Sequence, residues 1–343
     1  MVQNNMKTLQ SDNMMYFWRI VFTYVIAFHH LLGAYSISVG WYIGVDFFAI
    51  LSGYLLYQHI ERYPEENVLT YAKSRFMYFM PVLLFSAVFR YCVQMKLNSF
   101  DISFMDLFKG IPEYLCLNAF YINGPLNAVD WYVEALFVAA IFFYIIQKRY
   151  KASVFPICFL FSICAYSWII RNFQGGLQSY FYLDNKTNLG LIGLCNVLRV
   201  SAGISIGILL CYCSQYEIFK KKESSVILSS LCLLLVLGMS AKFFNKDSDF
   251  VYILLMAVGV LFGFKATCFT KIFSSKLIVT FSKLSLFIYL NHYTFRIIIR
   301  RGFDTLNVGV ILLYLISVTA FSWLMFVLFE QGKRYLKMKG IMK

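Results

Sequence analysis

Apolar stretches long enough to cross a bilayer recur along nearly the whole chain, and no soluble domain of ordinary size fits between them. A helical crossing needs about 20 apolar residues, because every backbone polar group in hydrocarbon must be bonded within its own segment. The expected fold is therefore an all-α integral membrane protein, a single polytopic domain over residues 1–343. Composition agrees: 60% hydrophobic residues, 19% aromatic residues and a mean hydropathy of +0.67 are far from an average soluble domain. A net charge of +14 raises nucleic acid as a partner, but the Lys and Arg residues fall in short clusters between apolar runs. They read as topology signals.

The pattern predicts about ten transmembrane helices, near residues 16–34, 41–58, 76–95, 131–146, 153–170, 189–213, 225–241, 250–264, 277–298 and 308–329. Ten crossings put both termini on one side. The basic clusters Lys148-Arg149-Tyr150-Lys151, Lys220-Lys221-Lys222, residues 265–276 and residues 333–343 then share that side, which the positive-inside rule makes cytoplasmic. Arg296, Arg300 and Arg301 go against this, falling at the outer end of the ninth span. Either they line a cavity or the boundary lies elsewhere. The longest inter-span stretch, residues 96–130, is expected outside, with a re-entrant or interfacial element around residues 111–121. The first run ends in Gly33-Ala34-Tyr35-Ser36, which superficially resembles a signal-peptide cleavage site; it is expected to remain as an uncleaved span.

Arg19 and His30 stand eleven residues apart inside the first run. That spacing is roughly three helical turns and a rise of about 16 Å, so both side chains lie on nearly the same face at different depths. A charge in such a segment costs on the order of 2.5–3.5 kcal/mol, so it is by default a functional hypothesis. The bland alternative is that Arg19 snorkels to the interface. The nine Cys residues lie mostly within apolar runs and are expected to pack there. With four His and no compact His and carboxylate cluster, no metal site is expected. His59, at the edge of the second run, reads as solvated.

The second run contains Gly44-Val45-Asp46-Phe47-Phe48 and then Leu51-Ser52-Gly53. With Arg19 and His30 this resembles acyltransferase family 3, whose first span carries an Arg, ten residues and a His, and whose second reads G-V-x-x-F-F-x-x-S-G. Arg75 and Pro81 resemble the family's basic stretch at the start of the third span, and Trp131-Tyr132 its aromatic pair opening the fourth. Ser285, Tyr289-Leu290 and His292 are similar to its S-x-x-x-Y-L-x-H stretch, and Phe329-Glu330 to the acidic residue closing its last span. One departure is Tyr78, where the family often carries a second Arg three residues before that Pro. Glu134 stands where a small or neutral residue is more usual.

The resemblance implies transfer of an acyl group, commonly acetyl, from cytoplasmic acyl-CoA to a hydroxyl of a cell-surface polysaccharide or its lipid-linked precursor, such as O-antigen, capsule or exopolysaccharide. It also implies a multi-pass protein of the bacterial inner membrane. In that setting Arg19 and Arg75 are expected to hold the donor phosphates. His30 is expected to act as general base or to take the acyl group itself, and both routes stay open. Asp46 is expected to orient the His30 imidazole, by inference from other His-centred sites. Ser52, Trp131, Glu134 and His292 are assigned to the acceptor or the cavity. Singly, Trp131 and Tyr132 also fit an interfacial aromatic belt, Ser52-Gly53 a small-residue helix contact, and His292 a packing role. Two other classes remain open on sequence: a transporter or flippase, and a non-catalytic component of polysaccharide assembly.

Overall fold

The computed structural model describes residues 14–97, 129–173, 176–178, 189–216, 224–242, 246–266, 270–273 and 275–339. Within them the protein is all-helical. The helices are α1 (Met15–Ala34), α2 (Gly44–Arg62), α3 (Val68–Leu97), α4 (Asp130–Arg149), α5 (Val154–Asn172) and α6 (Leu189–Cys213). They continue with α7 (Ser224–Ser240), α8 (Lys246–Gly263), α9 (Thr270–Phe273), α10 (Lys276–Lys283), α11 (Ser285–Gly302) and α12 (Val308–Met338). Residues 111–121, expected as a re-entrant or interfacial element, lie outside the described residues, as does most of the outer stretch that holds them.

Nine of the ten expected spans each fall on one helix, but among the described residues only seven helices are long and apolar enough to cross a membrane. The seven are α1 to α6 and α12, with α2 and α5 each counted together with the short 3-10 turn before it. α7 and the apolar part of α8 are shorter. The expected ninth span, residues 277–298, is two helices that meet at Leu284. α10 is bracketed by Lys276 and Lys283, poor residues for a bilayer core, and α11 carries His292, Arg296, Arg300 and Arg301.

Polar residues define where several helices begin. Asn67 accepts from the Thr70 backbone N–H at 2.8 Å ahead of α3, and Asn307 from Val310 at 3.0 Å ahead of α12. Such caps satisfy donors that a helix leaves unbonded at its start. α3 runs unbroken through Pro81 and starts two turns before the apolar part of its sequence.

α2 and α6 are the most enclosed of the seven long helices and share the most extensive contact in the fold. The reason is the lack of side chains at the crossing. A Cβ on Gly53 would sit 2.0 Å from the Ile204 carbonyl oxygen, and one on Gly207 would sit 1.9 Å from that of Ile50. The two backbones touch, as small residues allow between membrane helices. Around this pair pack α4, α5 and α8, while α1, α3, α11 and α12 form a second group joined to it through α1 against α2 and α3 against α4.

Hydrogen bonds fix helix directions. Ser86 of α3 donates to the Leu290 carbonyl of α11 at 2.8 Å, and Arg300 near the end of α11 donates to Ala34 at the end of α1 at 3.1 Å. Tyr24 bonds Thr319 at 2.7 Å, and Tyr314 donates to the Ala27 and His292 carbonyls, each at 3.2 Å. α1, α3 and α11 therefore run parallel, and α12 runs against them.

Candidate active site

The early parts of α1, α3 and α11, the first half of α4 and the middle of α2 enclose a pocket of about 380 Å³. Arg19 enters it from the first turns of α1, Arg75, Tyr71 and Tyr78 from the early part of α3, and Ser285 and Tyr289 from α11. Ser52 of α2 and Tyr132 of α4 supply further polar groups, while the remaining wall is apolar, with Phe48, Leu51, Leu136 and Phe137 among its residues. Both guanidiniums come from the same end of parallel helices, so the pocket is cationic at that end and apolar along its length. The Arg75 guanidinium lies 5.2 Å from the Tyr71 ring, which itself stacks on Tyr144 at 4.3 Å.

A second space of about 380 Å³ adjoins the first, sharing Leu55 and Arg75. It is lined by Gln58, His59, Arg62, Tyr63 and Glu66. His59 is bonded to Glu66 at 2.6 Å and lies against Tyr63 and Tyr71, so it is part of this wall and not a solvated residue. The turn between α2 and α3 is also tied to the end of α4: Tyr144 donates to the Glu66 carbonyl at 2.7 Å and Lys148 to the Pro64 carbonyl.

Tyr78 has a cation of its own. The Lys333 ammonium from α12 lies 4.8 Å from the Tyr78 ring centre and 4.3 Å from that of Phe329, with Glu330 at 3.6 Å. A lysine from the last helix thus stands beside the position where the related pattern has an Arg.

At its other end the pocket reaches Tyr289. The Tyr289 ring is 5.6 Å from Tyr132 and 5.6 Å from His292, centre to centre, and its hydroxyl donates to the Val129 carbonyl at 2.9 Å. His292 is fully buried, and its Nδ1 bonds the Tyr289 carbonyl. A carbonyl only accepts, so Nδ1 carries the proton and Nε2 keeps a lone pair. That Nε2 is buried and has no partner among the described residues. The His30 ring is 5.0 Å from His292, 5.1 Å from His29 and 5.5 Å from Tyr293. Arg19 and His30 belong to one unbroken helix, as the spacing implies, with Arg19 at the pocket and His30 among imidazoles three turns on.

Asp46 does not join this group. It is buried and bound by Arg199, whose Nη2 lies 2.5 Å from Oδ2, and it accepts from the Tyr166 hydroxyl at 3.0 Å. Arg199 also donates to the Leu177 and Tyr42 carbonyls, and Asp249 accepts from the Tyr42 hydroxyl and from the Leu177 N–H. None of these bonds involves His30: the carboxylate is taken up by a guanidinium, and the ring neighbours of His30 are His29, His292 and Tyr293. Trp131 and Glu134 are buried within α4, so Trp131 is covered by protein and does not form a lipid-facing belt.

Sequence reasoning passed over Arg199 and Arg90, although both are charges inside apolar runs. The rule that singled out Arg19 applied equally to them. Asp249 and Tyr166 carry no such signal; only the packing brings them to Asp46.

A polytopic helical bundle thus encloses a pocket with cations at one end and paired imidazoles beyond the other. The family follows from the chain as a whole. Residues 16–327 match the type 3 acyltransferase domain, and the protein belongs to that family: it is a multi-pass membrane acyltransferase. No curated protein and no solved structure matches it.

Proposed function

We propose that the protein transfers an acyl group, acetyl in the simplest case, from cytoplasmic acyl-CoA to a hydroxyl of a cell-surface polysaccharide or its lipid-linked precursor. The observation that carries this reading is the cation-ended pocket whose guanidinium Arg19 shares a helix with His30. Arg19 and Arg75 hold the donor's phosphates, since guanidinium forks match phosphate oxygens in geometry and charge. Lys333 over Tyr78 adds a third cation in place of the missing Arg. The apolar walls receive the pantetheine arm, and the thioester is carried toward Tyr289 and the imidazoles.

There His30 takes the proton of the acceptor hydroxyl as its oxygen attacks the thioester carbonyl. The C–S bond breaks, the C–O bond forms, and the imidazolium returns the proton to the leaving thiolate, giving an ester and CoA. Transfer through an acyl-imidazole on His30 reaches the same products in two steps. The lone pair on His292 Nε2 accepts a hydrogen bond from a second, neighbouring hydroxyl of the acceptor sugar, which leaves the proton of the attacking hydroxyl for His30. Ser52 lines the donor channel, while Trp131 and Glu134 shape α4 behind Tyr132. Asp46 acts in this reading as a support for the bundle.

This mechanism belongs with ten crossings in a bacterial inner membrane and with both termini in the cytoplasm. The parallel course of α1, α3 and α11, with α12 reversed, supports that alternation.

The test is proton NMR and mass spectrometry of purified surface polysaccharide from cells carrying the wild-type gene, a deletion or His30→Ala. One ester-linked acyl group is expected in the wild type and in neither altered strain. An unchanged modification pattern with less glycan, or with accumulated lipid-linked precursor, would replace this reading with transport or assembly.

A further inference from the structure

Among the described residues, two guanidiniums beyond the imidazoles have buried N–H groups without acceptors. Arg90 of α3 is 6% exposed, and its buried Nε and Nη1 have no hydrogen-bond partner; the buried Nε of Arg296 on α11 has none either. Neither forms an ion pair with any carboxylate among the described residues. Both lie over the ring of Tyr293, Arg90 at 5.5 Å and Arg296 at 4.7 Å from its centre. The edge of that ring arrangement is His30, whose plane meets that of Tyr293 at 82° with the centres 5.5 Å apart. His29 and His292 complete the surroundings.

Elsewhere in the protein, arginines of this region are satisfied. Arg199 is bound by Asp46 and two carbonyls, and Arg300 by Ala34 and Asp304. A buried guanidinium with unbonded N–H groups is costly, and two that share one aromatic ring also repel each other. Stacking on Tyr293 offsets part of that cost. What the pair lacks is an anion.

We propose that Arg90 and Arg296 form an anion site for the acceptor, taking a carboxylate or phosphate ester carried by the sugar whose hydroxyl is presented to His30. The proposal rests on the acyl-transfer reading for the identity of the ligand as an acceptor, but the site itself rests on the two guanidiniums. It lies at the opposite end of α1 and α3 from Arg19 and Arg75, so donor and acceptor charges are held apart. The Tyr293 ring gathers the two guanidiniums next to the imidazole that removes the proton.

The test uses the full-length protein purified in detergent and three probes: methyl β-glucuronide, methyl glucoside 6-phosphate and methyl β-glucoside. Binding is read by calorimetry for the wild type, Arg90→Gln and Arg296→Gln, with CoA affinity measured alongside. At least one charged sugar should bind about tenfold or more tightly than the neutral one, the worth of a charge-assisted hydrogen bond, and each substitution should erase that preference while CoA affinity stays within about twofold. Preference for the glucuronide assigns the site to a sugar carboxylate, and preference for the phosphate to a phosphorylated sugar. Equal binding of all three by the wild type would overturn the proposal, and needs no variant to fold. So would a preference that survives both substitutions, or substitutions that stop acetyl-CoA turnover without changing sugar binding, the signature of a role on the reacting carbonyl. A protein that binds the charged sugar selectively but transfers nothing from acetyl-CoA keeps this site and loses the donor reading.

Discussion

Arg19 and Arg199 show how differently one residue type is used inside the bundle. Arg19 points into a pocket and is free to meet a ligand, whereas Arg199 is 1% exposed and fixed by Asp46, Leu177 and Tyr42. Removing Arg199 leaves Asp46 a buried carboxylate with only Tyr166 beside it and frees the 176–178 segment from α2. Arg199→Ala should therefore cost about 3–5 kcal/mol, the usual penalty for breaking a buried pair from one side. The check is the thermal melting of detergent-solubilised protein; a melt like that of the wild type would show that the pair supports nothing. Lys333 makes the opposite kind of prediction, because it lies over the ring of the pocket-lining Tyr78 and holds no buried charge. Lys333→Gln should raise the KM for acyl-CoA about threefold to tenfold with kcat little changed, and Lys333→Arg should restore most of it. A KM unaffected by both substitutions would remove Lys333 from donor binding.

α2 serves both packing and the pocket, since one face closes on α6 and the other lines the cavity. Ser52 and Gly53 divide these tasks: Ser52 faces the cavity while Gly53 lies on the Ile204 backbone. Any side chain at Gly207 would have to displace the Ile50 carbonyl, a backbone atom that cannot rotate away. Gly207→Leu should separate α2 from α6 and cost about 3 kcal/mol or more, read as a loss of folded protein on size-exclusion chromatography. Gly238, whose Cβ would meet nothing within 4 Å, is the control, and Gly238→Ala should leave the profile unchanged. α10 and α11 show where hydropathy is an incomplete guide to an element. It joins residues 277–298 into one run, yet the helix is interrupted at Leu284 and a new one begins at Ser285. That restart sets Ser285 and Tyr289 against the pocket and places His292 one turn further along.

For the whole molecule, hydrogen bonds constrain topology where hydropathy alone falls short. Seven helices meet the length and apolarity expected of a span, but α11 runs parallel to α1 and α3, which requires an even number of direction changes between α1 and α11. The ten-span reading satisfies this. A fluorescent protein fused after Lys343 should fluoresce, because it folds in the cytoplasm, and alkaline phosphatase inserted after Asn307 should be active outside. The reverse pattern would invert the bundle and put Arg19 and Arg75 on the wrong side for a cytoplasmic donor. Packing also decides the charge layout at large. Arg19 and Arg75 gather at one end, Arg90 and Arg296 at the other, and the three imidazoles His29, His30 and His292 lie between, although these residues come from three helices spread over most of the chain.

By itself the sequence determined the class, because long apolar runs have only one helical solution in a bilayer, and it determined the family, because the Arg19 and His30 spacing and the second-span glycines are local patterns. The family resemblance assigns Arg19 and Arg75 to the donor and Ser52 to the acceptor or cavity, and the fold brings the three to the wall of one pocket. The partner of Asp46, the tautomer of His292 and the neighbours of His30 were decided by tertiary structure alone. The first and last depend on which side chain from another helix arrives at that point, and the tautomer on a ring rotamer that turns Nδ1 back to the Tyr289 carbonyl; a one-dimensional pattern carries no record of either. Asp46 makes the difference plain: its sequence neighbourhood pointed to His30, but Arg199, 153 residues away, reached the carboxylate with better geometry and a full charge.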